Sequence, residues 1–75
     1  MSVLPFFSKL CSVRCSKNLS VSQLSNLTGI SQLTIEQIEN NSFIPSVRTA
    51  LILCVALECS VEDLFSFNES EVLNG

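Results

Sequence analysis

Apolar residues recur along this chain at steps of three and four, broken at short intervals by Ser, Asn, Gly and Pro. That spacing places the apolar set on one side of a helix rather than on one face of a strand. The first helix is predicted over Pro5 to Lys17, because Pro suits a first helical turn and Phe6 or Phe7, Leu10 and Arg14 then share a face. Asn18 tolerates the left-handed conformation and ends it. The second helix opens at Ser20, where Ser20 and Gln23 match an S-x-x-Q capping box. Leu24 and Leu27 are its expected inner face, and Gly29 stops it by permitting a positive φ.

Ser31 is the N-cap of a third helix, in which Ile35 and Ile38 point inward. Gln32, Leu33, Glu36 and Gln37 must then point largely outward. The helix gives out near Asn40 and Asn41, and Pro45 forbids its continuation through the loop. A fourth helix runs from Ser46 or Val47 to Glu58. A fifth starts at Ser60, with Glu62 and Asp63 favourably placed in its first turn. Val61, Leu64 and Phe65 close the core. No stretch alternates convincingly enough for a strand, and no repeat is present. The chain reads as one all-α domain with a compact core over about residues 5–67 and a polar, loose tail beyond it.

Length and composition sharpen this picture. A chain of 75 residues has a marginal core and little room for a substrate cleft as well. With 47% hydrophobic residues it is globular rather than disordered. The net charge of −3 is not the basic footprint usual in nucleic-acid binders. The charges are, however, unevenly spread. Through Leu57 the bases Lys9, Arg14, Lys17 and Arg48 outnumber the acids Glu36 and Glu39, whereas Glu58, Glu62, Asp63, Glu69 and Glu71 follow with no base. One end of the molecule is thus expected to tolerate phosphate and the other to be repelled by it.

Cysteines stand at 11, 15, 54 and 59, without a CxxC pair and without any His. A zinc site would need all four thiols, so small, partly buried thiols in a reducing cytoplasm are the simpler reading. Nothing resembles a signal peptide or a membrane span, and the longest apolar run, Ala50 to Leu57, is too short to cross a bilayer. No nucleophile–base pair or phosphate-cradling loop is present, so neither enzymatic activity nor a cofactor is expected.

The informative stretch is LSVSQLSNLTGISQLTIEQIEN, Leu19 to Asn40: two short helices joined by a tight turn at Gly29. It resembles the helix-turn-helix of the phage repressor, Cro and xenobiotic-response-element regulator family. TIEQIEN is similar to the recognition helix of a lambdoid phage repressor, and ALECSVEDLF to the family's "aLgvsldeLf". The resemblance spans about residues 6–66 and implies a five-helix, lambda-repressor-like DNA-binding domain. Departures from the family are Ser25 for a common Ala, Asn41 and Glu58 for common Gly, Val21 at a frequent phosphate contact, and Ser42-Phe43-Ile44 in a loop that is often basic. Each lost cation weakens binding through lost counterion release.

The resemblance implies an operator-binding regulator that reads double-stranded DNA through helix three as a homodimer. Gln32 and Gln37 are the candidate adenine readers, and Leu33 a candidate thymine-methyl contact. Ser31, Asn40, Lys9, Lys17 and Arg48 are the candidate backbone contacts. The resemblance also implies a salt bridge between Arg14 and Glu39, the other role for Arg14 being phosphate contact. Val47, Ala50, Leu51, Leu53, Cys54 and Leu57 suffice to cover the core side of helix four. Ile52 and Val55, with Phe67, are then in excess and suggest an interface. The alternative function is a protein-interaction module on the same fold: an antitoxin, an antirepressor or a regulator subunit that engages another protein and binds DNA weakly or not at all.

Overall fold

The computed structural model describes residues 6–67. Helices α1 (Leu10–Ser16), α2 (Val21–Thr28), α3 (Gln32–Glu39), α4 (Val47–Leu57) and α5 (Val61–Leu64) follow one another, bracketed by strands β1 (Phe6–Ser8) and β2 (Phe65–Phe67). The strands pair antiparallel, with Phe6 opposite Phe67 and Ser8 opposite Phe65. This ribbon corrects the predicted start of the first helix, which begins at Leu10 and not at Pro5. Two three-residue strands are too short for alternation to declare itself, and their partners lie at opposite ends of the sequence. Residues 1–5, including Pro5, and the tail beyond Phe67 lie outside the described residues.

The local signals for the remaining helices operate as polar side chains should. The Ser20 hydroxyl accepts from Gln23 N and the Gln23 side chain accepts from Ser20 N, closing the capping box. Ser31 and Ser46 cap α3 and α4 by accepting from Thr34 N and Thr49 N, and Ser60 with Asp63 forms a second box at α5. These bonds satisfy amides that the helix itself leaves open. Their strength at α5 shows in Asp63, whose carboxyl is held below its ordinary range chiefly by the Ser60 backbone and side chain. Gly29 takes φ 77°, and Asn18, Asn41 and Glu58 adopt left-handed φ of 60°, 62° and 55°. Glu58 thus ends α4 as glycine would, at the steric cost of its Cβ.

Leu10, Leu24, Ile35, Ile38, Leu53, Leu57 and Leu64 are essentially sealed from solvent, with Cys54 and Phe65 completing the core. Two expectations change here. Leu27, expected on the inner face of α2, is 62% exposed. Val47 and Leu51, expected on the core side of α4, are 77% and 50% exposed, because Ala50, Leu53, Cys54 and Leu57 fill that side without them.

The cysteines form two separate pairs. Cys11 and Cys15 are exposed on α1, one helical turn apart. Cys54 is buried and Cys59 partly so, and burial pushes both thiols upward. Among the described residues no cluster of three or more His, Cys, Asp or Glu is placed to hold a metal ion, and no helix is long and apolar enough to cross a membrane.

Candidate nucleic-acid interface

Helices α2 and α3 are joined by a turn fixed by side chains as well as by Gly29. The Ser25 hydroxyl donates to the Ile30 carbonyl at 2.6 Å, and Thr28 Oγ1 donates to the Leu24 carbonyl while accepting from Ile30 N. Ser25 therefore has a use that alanine could not serve: it ties the end of the turn back to α2. Ile30 packs against the core at the entry to α3.

On α3, Ile35 and Ile38 are buried while Gln32, Leu33, Glu36 and Gln37 are exposed. The two glutamines and Leu33, at 64% exposure, stand on one outward surface. Ser31 opens this surface, with its hydroxyl engaged by Thr34, and Asn40 closes it as the C-cap residue.

The far end of α3 is pinned to α1. Arg14 Nε donates to Glu39 Oε2 at 2.7 Å and Nη2 donates to Oε1 at 3.3 Å, a two-pronged contact with both side chains nearly buried. Arg14 Nη1 donates to the Leu19 carbonyl at 2.8 Å. The hydrogen bond it donates to Glu39 stabilises the Arg14 charge and raises its pKa further. A guanidinium committed to these acceptors is not free to meet phosphate, so of its two roles the structural one fits.

Asn41 is a residue that sequence reasoning weighed only for its backbone. Its Oδ1 accepts from Ser8 N at 2.7 Å, tying the loop after α3 to β1, and the Ser8 hydroxyl in turn accepts from Leu10 N at the start of α1. No local pattern announces a bond between residues so far apart in sequence.

Of the candidate backbone contacts, Ser31 and Asn40 cap α3, whereas the basic ones, Lys9, Lys17 and Arg48, stand on other elements. Lys9 Nζ donates to the Glu62 carbonyl at 2.9 Å, and its charge helps to hold Asp63 ionised. Lys17 lies near enough to Cys59 to favour its thiolate. Arg48 is exposed on α4, beside Leu27, Ile52 and Val55. The charge imbalance along the sequence is therefore not a clean division in space, since Lys9 folds against the acidic α5. The loop after α3 offers Phe43 and Ile44, 44% and 50% exposed. Of the suggested interface residues, Val55 is 78% exposed and Ile52 is half-buried, while the side chain of Phe67 lies outside what is described.

The helix-turn-helix family HTH_3 matches residues 12–64, nearly all of the described fold. Among solved structures, an HTH_3 family transcriptional regulator from Vibrio cholerae is similar at 31% identity with a TM-score of 0.67. The match covers 72% of this chain and 30% of that one, so this chain spans less than a third of that regulator. The restriction-modification controller protein C.AhdI from Aeromonas hydrophila is similar at 26% identity with a TM-score of 0.68, over 72% of this chain and 82% of that one. No curated protein matches the chain. With the family's pattern running from α1 through α5 and an α2–turn–α3 unit presenting a polar outward helix, the chain belongs to the HTH_3 helix-turn-helix family of DNA-binding transcription regulators.

Proposed function

We propose that this protein regulates transcription by reading a specific double-stranded DNA sequence with α3 in the major groove. The observation that carries this is the outward row Gln32, Leu33, Gln37 on a helix whose opposite face is locked into the core by Ile35 and Ile38. A Gln amide can pair with N6 and N7 of adenine, and a Leu side chain can meet a thymine methyl. The exposed amides at the start of α3, with Ser31, suit a phosphate, and Asn40 offers a neutral donor at the other end. We place the protein in the cytoplasm, as a binding protein without catalysis or cofactor. The relatives' names support regulation, one as a transcriptional regulator and the other as a restriction-modification controller.

The test is selection of bound sequences from a random duplex pool by the wild type and Gln32→Ala. The expected result is lost preference at one position per half-site, worth about 1–3 kcal/mol each, with nonspecific affinity retained. Unchanged preference in both Gln32→Ala and Gln37→Ala would sink the reading. It would favour the protein-interaction alternative, which the exposed apolar residues of α4 also suit.

The salt dependence gives a second, independent expectation. Among the described residues Arg14 is held by Glu39 and Lys9 by Glu62, leaving Lys17 and Arg48 for phosphate. Two subunits then neutralise few phosphates, and log K against log salt should fall with a slope no steeper than about −4. A much steeper slope in fluorescence anisotropy across a salt series would show that other cations reach the DNA.

A further inference from the structure

We propose that Cys11 and Cys15 on α1 form a two-coordinate site for a soft cation of the cuprous type, and that filling it loosens the hold of Arg14 on α3. The cation is an effector rather than a cofactor, and its site lies apart from the outward face of α3. Both thiols are exposed, unlike the partly buried thiols that the sequence alone suggests. They stand four residues apart on one helical face, so their Cβ atoms are about 5–6 Å apart. A disulfide needs about 3.5–4.5 Å between Cβ atoms, so joining these thiols directly would distort α1. A linear ion asks for more room, because two metal–sulfur bonds of about 2.3 Å hold the sulfurs about 4.6 Å apart. The regular helix already supplies that gap.

Ligand number and type select the ion. Zinc takes four ligands, and among the described residues no group of three or more His, Cys, Asp or Glu is gathered. Two thiolates with no nitrogen or oxygen partner favour a soft ion. Binding breaks two S–H bonds, releases both protons to solvent and forms two metal–sulfur bonds. Two thiolates on a monovalent ion leave the site with a net negative charge.

That charge arises beside the clamp on α3. Arg14 Nη2 donates both to Cys11 Sγ at 3.7 Å and to Glu39 Oε1 at 3.3 Å. Against a neutral thiol the carboxylate is the stronger acceptor. Against a metal-bound thiolate the shared nitrogen is drawn toward sulfur, and the longer prong of the Arg14–Glu39 fork gives way. The anionic site also repels the Glu39 carboxylate, which lies close enough to influence the Cys11 thiol. The prong from Nε at 2.7 Å remains, so α3 is loosened rather than released. The effect on DNA binding rests on the reading of DNA by α3, whereas the ion site does not.

Anaerobic titration of the full, reduced chain with cuprous ion, in competition with a chromogenic cuprous chelator, tests the site. One tightly held ion per chain is expected, with the ultraviolet absorption of metal–thiolate bonds. Cys11→Ser and Cys15→Ser should each weaken binding by more than about a hundredfold, beyond what losing a mere supporting contact costs, with an unchanged helical circular-dichroism spectrum. Cys59→Ser, which dismantles the other pair and leaves the buried Cys54 in place, should bind as the wild type does. No ion retained against the chelator overturns the site, as does tight binding that survives Cys11→Ser or is lost in Cys59→Ser. The clamp is tested without DNA by the Arg14 side-chain N–H resonances, which the ion should shift; unmoved resonances overturn the coupling. With a selected duplex, the ion should weaken binding by about fivefold or more in the wild type and not in Cys11→Ser, and the duplex should weaken ion binding by the same factor. A chain that binds the ion and shifts these resonances but binds no duplex overturns the reading of DNA by α3 instead.

Discussion

Replacing Arg14 by Ala is expected to cost about 3–5 kcal/mol of folding stability, because it strands a nearly buried carboxylate. Glu39 is 10% exposed, and its two oxygens each receive a guanidinium nitrogen. The Leu19 carbonyl loses its Arg14 donor in the same substitution. A domain of this length has a total stability near the low end of about 5–15 kcal/mol, so the variant should be partly unfolded at room temperature. Arg14→Lys keeps the charge but cannot supply the same fork of donors, and should fall between wild type and Arg14→Ala. Denaturant melts of Arg14→Ala, Glu39→Ala and the double variant provide the measurement. The double variant should be destabilised by clearly less than the sum of the singles, by about 1–3 kcal/mol, since each single leaves a group that the double removes. Additive losses would mean that the bridge contributes little and that the cost lies in packing.

The bridge also bears on the proposed function, through position. It is the side-chain link between α1 and the last residue of α3, while Ser25 and Thr28 fix the turn at the other end. A helix held at both ends presents its outward residues at one angle, and a reader displaced by a fraction of an ångström loses bidentate contacts.

Much of this architecture is legible in the sequence because its signals are local. Ser20, Ser31, Ser46 and Ser60 each cap a helix through an amide three residues on, a bond that any chain folding there would make. The outward position of Gln32 and Gln37 follows from the spacing of Ile35 and Ile38 alone. What escapes is nonlocal. The β1–β2 ribbon joins the two ends of the described chain, and Asn41 bonds Ser8 across the fold. Charge also misleads when read along the chain, because Lys9 ends against Glu62. On α4 the periodic pattern is apolar nearly all round, so it cannot say which side is inside. The small neighbours Ala50 and Cys54 decide that, and they turn Val47 and Leu51 outward. The same ambiguity left Ile52 to be read as surplus, whereas it is half-buried.

Ile38→Ala should destabilise the fold by about 2–5 kcal/mol while leaving the proposed DNA-facing surface chemically intact. Ile38 is 0% exposed, on the face of α3 opposite the glutamines, and its carbonyl accepts from Asn41 N. Truncation removes three carbons from a sealed site whose walls come from several helices, so the space can close only in part. Ile38→Val removes one carbon and should cost about 0.5–1.5 kcal/mol, a graded series that separates packing loss from loss of the fold. Binding offers a sharper distinction. Any duplex that binds the folded state alone raises apparent stability by mass action, about 2.7 kcal/mol at a hundredfold excess over Kd. Ile38→Ala should therefore melt higher with a selected duplex than without it, and show the wild-type sequence preference once folded. Gln32→Ala should behave the opposite way, melting like the wild type alone and losing preference at one position per half-site. Thermal melts of both variants with and without duplex check this. If Ile38→Ala alters sequence preference while Gln32→Ala does not, the reading surface is not the outward face of α3.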